Sequence, residues 1–156
     1  MSETEAPETE VRPAGLFRRL AALFYDSLLL LALWFIAVAI VLPLNHGEAF
    51  APHNPLLTTY LLFVAFFFYG WFWMHGGQTL GMRAWRLQLR SLRPTPLNWW
   101  QVLLRFLVAI PSALLFGLGY LWILVDRRKL SWHDRYSETA IVQLKENPFP
   151  YRRRRR

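Results

Sequence analysis

The amino-acid sequence predicts an all-α membrane protein: a helical bundle of two full spans plus a broken third segment, re-entrant or spanning, with a small two-stranded cap on the cytoplasmic side. Three observations predict it. Of 156 residues, 54% are apolar and 17% aromatic, well above what a soluble domain of this size carries. Three stretches, residues 20–42, 56–74 and 106–125, contain a single charged side chain between them, Asp26. The eighteen Lys and Arg residues all fall on one side of these stretches if the third returns to the side from which it enters.

The stretches are 23, 19 and 20 residues long. Each can cross a hydrocarbon layer of about 30 Å as a helix rising about 1.5 Å per residue. The first follows Arg18 and Arg19, as a secretory signal would, but it exceeds the roughly 7 to 15 apolar residues of a cleaved signal and reads as a retained anchor. Residues 43–55 hold three prolines, one glycine and no Lys or Arg, the composition of an external loop. Of the basic residues, three precede the first span, five lie from Arg83 to Arg105, and ten follow Val125. A single crossing by the third stretch leaves ten outside against eight inside, whereas a re-entrant path leaves all eighteen inside with both termini. Pro111 divides the apolar residues 97–125 into pieces too short to span, so a break is expected near Ile110.

Residues 1–13, with four glutamates in the first ten, read as a disordered acidic tail, residues 14–144 as the membrane domain, and residues 145–156 as a basic tail. The five arginines at 152–156 repel one another and stay solvated. Their expected partner is anionic lipid, at about 1 kcal/mol per residue near the surface. A nucleic-acid arm is not expected, because no recognisable binding fold accompanies the run. The absence of cysteine excludes disulfides, thiolate metal sites and a cysteine nucleophile. Trp71, Trp73, Trp99, Trp100 and Trp122 sit near the ends of apolar segments, where amphipathic rings suit the lipid–water interface. Residues 85–90 alternate polar and apolar side chains and residues 140–144 carry Ile141, Val142 and Leu144; paired, these two strands make the cap.

Asp26 is the most informative position. A carboxylate inside a membrane helix costs about 2.5 to 3.5 kcal/mol near the centre, so something must compensate it. Arg19 lies on the same helical face but about 10.5 Å away along the axis. Arg105, which interrupts the apolar residues 97–125, is the better candidate, with Arg83 and Arg127 next in line. Such a pair either fixes helix packing or forms an ion or proton site comprising Asp26, Arg19 and Arg105.

A second cluster contains Asp126, Arg127, Arg128, Lys129, Ser131, Trp132, His133, Asp134 and Arg135. Ser131, His133 and Asp134 are the ingredients of a catalytic triad, but residues so close in sequence do not readily converge into a relay, and no enzyme is expected. His46, His53, His75 and His133 lack the spacing of a metal set, so neither metal nor cofactor is expected. Gly76, Gly77, Gln78, Thr79, Leu80 and Gly81 lack the lysine of a phosphate loop and read as a tight turn leaving the second span.

In order, these clusters resemble the RDD family: Phe17, Arg18, Arg19, Leu20, Ala21, Ala22 and then Asp26; Gly77, Gln78, Thr79, Leu80, Gly81, Met82 and Arg83; and Trp132, His133, Asp134 and Arg135. The resemblance covers roughly residues 14–144 and implies Arg19, Asp26 and Asp134 as the naming residues, with Asp126 competing for the last place. Gly77, Gln78, Thr79, Gly81 and His133 complete the motif. Ser137 and Glu138 depart from the pattern, since relatives tend to carry small residues there. The resemblance implies a bacterial protein of the cytoplasmic (inner) membrane, associated with transport of an unassigned ligand. Two functions then compete: a small transporter or ion-coupled carrier, working as a homo-oligomer or with a membrane-protein partner, and a non-transporting membrane scaffold or assembly factor.

Overall fold

Neither glycine nor proline occurs between Leu16 and Val41, and this stretch forms helix α1, Leu16–Val41, in a computed structural model that describes residues 12–145. The acidic residues 1–11 and the arginine run 152–156 lie outside the described residues. Helix α1 passes into a 3₁₀ turn, Leu42–Asn45, which Pro43 initiates and His46 closes in the left-handed conformation, φ 55°. Helix α2, Pro55–Met74, starts on Asn54, whose side chain accepts the Leu56 and Leu57 amides, with Pro55 in the first turn, where its missing N–H costs nothing. Both helices are long and apolar enough to cross a membrane. Phe24, Leu28, Phe35 and Ile40 on α1, and Leu56, Phe63 and Phe67 on α2, are exposed. Water does not tolerate so large an apolar surface, whereas lipid does. The two helices are joined by polar handles: Trp34 Nε1 donates to the Leu61 carbonyl at 3.0 Å, and the Tyr60 hydroxyl to that of Ala37 at 3.5 Å.

After α2 the chain turns through Gly76 and Gly77 into a short helix α3, Leu80–Ala84, capped by Thr79. Gly77 has φ +68°, and a Cβ there would lie 2.6 Å from the Leu89 carbonyl oxygen, so only glycine fits. Gly81 is equally constrained. A Cβ on it would meet the Ala22 carbonyl at 2.3 Å, so its absence lets α3 rest directly on α1.

The cap has three strands, ordered β1-β3-β2: β1 Arg12–Pro13, β2 Leu87–Ser91 and β3 Thr139–Gln143, all antiparallel. Strand β2 pairs with β3 from Leu87↔Gln143 to Ser91↔Thr139, with Leu87 and Leu89 buried as the alternation requires. It begins later than expected because Trp85 and Arg86 form a turn, with Arg86 left-handed at φ 56°. Arg12 and Pro13, expected at the end of the tail, form the added edge strand, where a proline is tolerated. Leu87, Leu89, Ala14, Ala22 and Met82 form the core between this sheet and the helices.

The third segment is broken, but not where proline suggests. Helix α4, Trp99–Leu114, opens with a reciprocal cap between Asn98 and Gln101 and passes through Pro111. It stops at Leu115, and the next two residues, Phe116 (φ 54°) and Gly117 (φ 74°), are left-handed. Helix α5, Leu118–Leu121, and a 3₁₀ turn, Trp122–Leu124, then run off at 107° to α4. Proline costs α4 one hydrogen bond, which a helix held on both sides can absorb, whereas consecutive left-handed residues reverse the chain. Helix α4 packs on α2 through Phe66, which meets Phe106 edge-on and Trp99 at 6.1 Å, while Gly70 leaves room for the Trp99 ring. The segment begins after β2 and ends before β3, so both its ends return to the same small sheet. A last short helix, α6, Trp132–Ser137, lies against α4 and leads into β3.

Candidate functional site

Asp134 lies in the first turn of α6, where Ser131 caps the helix: the Ser131 hydroxyl accepts the Asp134 amide and the Asp134 carboxylate accepts the Ser131 amide at 3.0 Å. The same carboxylate receives two guanidiniums. Arg19 Nη1 donates to Oδ2 at 2.5 Å and Arg105 Nη1 to Oδ1 at 2.5 Å, with all three side chains buried. Arg19 spends its remaining donors on backbone carbonyls, those of Ala14 at 3.1 Å, Lys129 at 3.0 Å and Ile141 at 3.2 Å. Arg105 adds a bond from the same Nη1 to the Thr139 hydroxyl at 2.9 Å, and its guanidinium carbon sits 5.3 Å above the Trp73 ring. One carboxylate thus ties α1, α4, α6 and β3 together.

Asp26 is elsewhere. It is buried, and the expected pair with Arg105 is not formed, nor is one with Arg19, Arg83 or Arg127: Asp26 makes no salt bridge among the described residues. Its Oδ2 accepts the Thr79 hydroxyl at 2.5 Å and its Oδ1 the Gly81 amide at 2.9 Å. Neutral donors from the start of α3 therefore satisfy it, while Arg105 is engaged by Asp134. Thr79 in turn caps α3 by accepting the Met82 amide, and Gln78 fastens the turn to β2 by donating to the Leu87 carbonyl at 2.6 Å. Asp126 organises its own loop, accepting the Leu130 and Arg128 amides and Arg135 Nη2. Of the two competing aspartates, only Asp134 reaches the buried arginines.

These two charged groups share a cavity of about 140 Å³ whose walls include Arg19, Asp26, Arg105 and His133. Tyr69, Trp73 and Tyr120 add aromatic faces, and Leu23, Met82 and Phe106 aliphatic and ring carbon. Sequence reasoning missed Tyr120, which lies within an apolar stretch, and placed Trp73 only near the end of an apolar segment as an interfacial ring, whereas it lines the cavity.

The sequence model of one family, the RDD family, matches residues 13–138, most of the chain. The chain belongs to the RDD family. No curated protein and no solved structure matches it. Arg19 and Asp134, expected as naming residues from the resemblance, are directly bonded partners, and Asp26 faces the same cavity through a separate set of bonds. The turn and helix start at residues 77–81 are the joint that delivers Thr79 and Gly81 to Asp26.

Ser131 and His133 do meet, Oγ to Nε2 at 2.9 Å, despite their closeness in sequence. Asp134 does not orient the imidazole, because both its oxygens are taken by arginines, so no relay is assembled. The ring lies against Tyr120, with centroids 4.5 Å apart, and its Nδ1 makes no hydrogen bond. Burial, reinforced by Arg105, pushes the His133 imidazole down to about 3, so it is neutral at ordinary pH. Burial alone would raise Asp134, but Arg105 and Arg19 outweigh it and hold the carboxyl well below the usual range. His75, by contrast, stacks on Trp71 at the end of α2.

Removing the shared carboxylate should be the most damaging polar change in the chain. Asp134→Asn leaves two buried guanidiniums facing each other, and loss of a buried partner costs about 3 to 5 kcal/mol. Asp26→Asn should be tolerated, because an amide can still accept from Gly81 and meet the Thr79 hydroxyl. The yield of monodisperse protein in detergent separates the two, and equal yields would contradict this division.

Acid should destabilise the fold in two stages. The folded value for His133 lies below its ordinary 6.5, so the unfolded chain takes up a proton first. Stability present above pH 6.5 is then lost as the pH falls toward about 3, by up to about 1.4 kcal/mol per unit. Asp134, also depressed, adds its loss only below its ordinary 3.8. Melting temperatures measured from pH 7 to 4 should fall for the unaltered protein and flatten in His133→Gln.

Proposed function

We propose that this RDD-family protein is a membrane-embedded ion-coupled carrier in which Asp26 is the ion-binding carboxylate and Arg19 and Arg105 set the field around it. The observation that carries this reading is a buried carboxylate that lines a cavity and has only neutral hydrogen-bond donors for partners. Neutral donors lower the cost of a buried charge without cancelling it, so a proton or cation entering the cavity finds an uncompensated charge to bind. The arginines differ in this respect, since both are ion-paired with Asp134. The reading includes no enzymatic step, cofactor or metal.

The proposed setting is the bacterial cytoplasmic membrane, with the sheet on the cytoplasmic side and anionic lipid against the basic C-terminal tail. Residues 43–55, without Lys or Arg, lie outside. Support for a re-entrant third segment comes from the sheet, since β2 precedes that segment and β3 follows it in adjacent register. A single crossing would pull these paired strands to opposite sides. A homo-oligomer completes the proposal, because the segments of one chain enclose only a small cavity.

Flux in proteoliposomes tests the carrier. Purified protein should dissipate an imposed pH gradient, and Asp26→Asn should lose this while keeping its assembly in detergent. Assembled protein that moves no protons or alkali cations would leave the scaffold as the better reading.

Topology is checked with single cysteines, for which the native chain offers no background. A cysteine at Glu48 should react with an impermeant reagent in intact cells and cross-link between copies, and one at Lys145 should react only after permeabilisation. External labelling at Lys145 would overturn the re-entrant arrangement.

A further inference from the structure

The cavity is built to receive a hydrogen-bond acceptor. Trp73 Nε1 and His133 Nδ1 are enclosed and make no hydrogen bond among the described residues, and both residues line it. Trp73 Nε1 is always a donor. His133 Nδ1 is one too in the tautomer in which the Ser131 hydroxyl donates to His133 Nε2, since the neutral imidazole then carries its hydrogen on Nδ1. Arg105 supplies a third donor group. Both its hydrogen bonds leave from Nη1, and its Nε and Nη2 make none to the described residues. That edge of a guanidinium is the side-on fork that a carboxylate takes with two parallel bonds.

Charge decides what can come with the acceptor. Around the cavity, Arg19 and Arg105 stand against Asp134, a net single positive charge, and Asp26 supplies the offsetting negative one. The other titratable groups on the walls, Tyr69, Tyr120 and His133, are neutral near pH 7. An anion placed here alone leaves the buried site with an uncompensated charge, which a medium of low polarity penalises heavily. Protonation of Asp26 removes that excess, whereas a cation added at Asp26 in the absence of an anion creates the opposite one.

We infer that the cavity binds a small monocarboxylate together with one proton, the carboxylate on the Nε–Nη2 edge of Arg105 beside Trp73 and His133, and the proton on Asp26. Size sets the class. The volume, about 140 Å³, is close to that of a cavity of about 150 Å³ that accepts benzene, so a guest of about four to six non-hydrogen atoms fits. The carbon of Leu23, Met82 and Phe106 suits a short aliphatic tail. This rests on the carrier reading for its biological sense, since it names the solute that the ion accompanies.

Equilibrium binding to the full-length protein in detergent tests it without requiring transport. Acetate, propionate and butyrate are titrated calorimetrically between pH 6 and 8, with methylammonium and propionamide as controls. Propionate should bind, and its Kd should rise about tenfold per pH unit, the slope of one linked proton. Asp26→Asn should bind with a Kd that no longer depends on pH. Trp73→Phe, which removes the indole N–H and keeps an aromatic ring beside Arg105, should weaken binding about fivefold, as expected for one lost hydrogen bond. Absence of carboxylate binding, or preference for methylammonium or propionamide, would overturn the proposal. So would a pH slope that survives in Asp26→Asn, because the acid would then enter already neutral and Asp26 would not hold the proton. Proton flux without carboxylate binding would leave the carrier standing and remove this site, whereas linked binding without flux would do the reverse.

Discussion

The fold depends on one carboxylate shared by two arginines. Asp134 receives Arg19 from the first helix and Arg105 from the fourth while its own helix leads directly into β3. In lipid, little hydrophobic force drives one apolar helix against another, so association rests on close packing and interhelical polar bonds. Here the polar bonds are concentrated at one point. Arg19 extends the cluster to three carbonyls, which fixes the loop before α6 and the strand after it. The apolar helices above this point show few buried residues, so the sheet end of the molecule carries most of its specific tertiary structure.

Much of this architecture is readable from the sequence, and the failures have physical reasons. The long helices follow from uninterrupted apolar runs, and β2 and β3 from alternation at residues 85–90 and apolar density at 140–144. Strand β1 is two residues long and contains a proline, too short for any periodicity to register. The break in the third segment was assigned to Pro111, yet Gly117 carried the better signal, because glycine beyond the last periodic residue marks a helix end. The partner of Arg105 was misassigned because counting charges along a chain treats every buried ion as needing its own opposite. Asp134 instead serves two cations and Asp26 none. The spacing Ser131-x-x-Asp134 announces a helix start in the sequence, but nothing in one dimension says that the capping carboxylate also collects two arginines.

Neutral solvation of Asp26 depends on how closely α3 can approach α1. The amide of Gly81 reaches the carboxylate only because Gly81 has no side chain to strike the Ala22 carbonyl. Thr79, held in extended backbone as the cap of α3, then turns its hydroxyl to the second oxygen. The turn at residues 76–78 sets this approach, pinned to β2 by Gln78 and by the Leu89 amide on the Gly77 carbonyl. A motif that reads as a loop is therefore the device that keeps a carboxylate solvated inside an apolar protein.

The interval between Arg19 and Asp26 gives this arrangement its chemical character. Seven residues separate them, two helical turns on one face, and about 10.5 Å along the axis. Spaced four apart, the two side chains would have met and neutralised each other on the helix surface. Buried Ala22 occupies the place between them, small enough for α3 to lie against it. The helix thus delivers a positive and a negative group to one cavity and prevents them from pairing. With Arg105 added and Asp134 fixed behind both arginines, the walls balance in charge while remaining polarised from one end to the other. That polarity is set by covalent spacing along one helix, and no bond between the two groups relieves it.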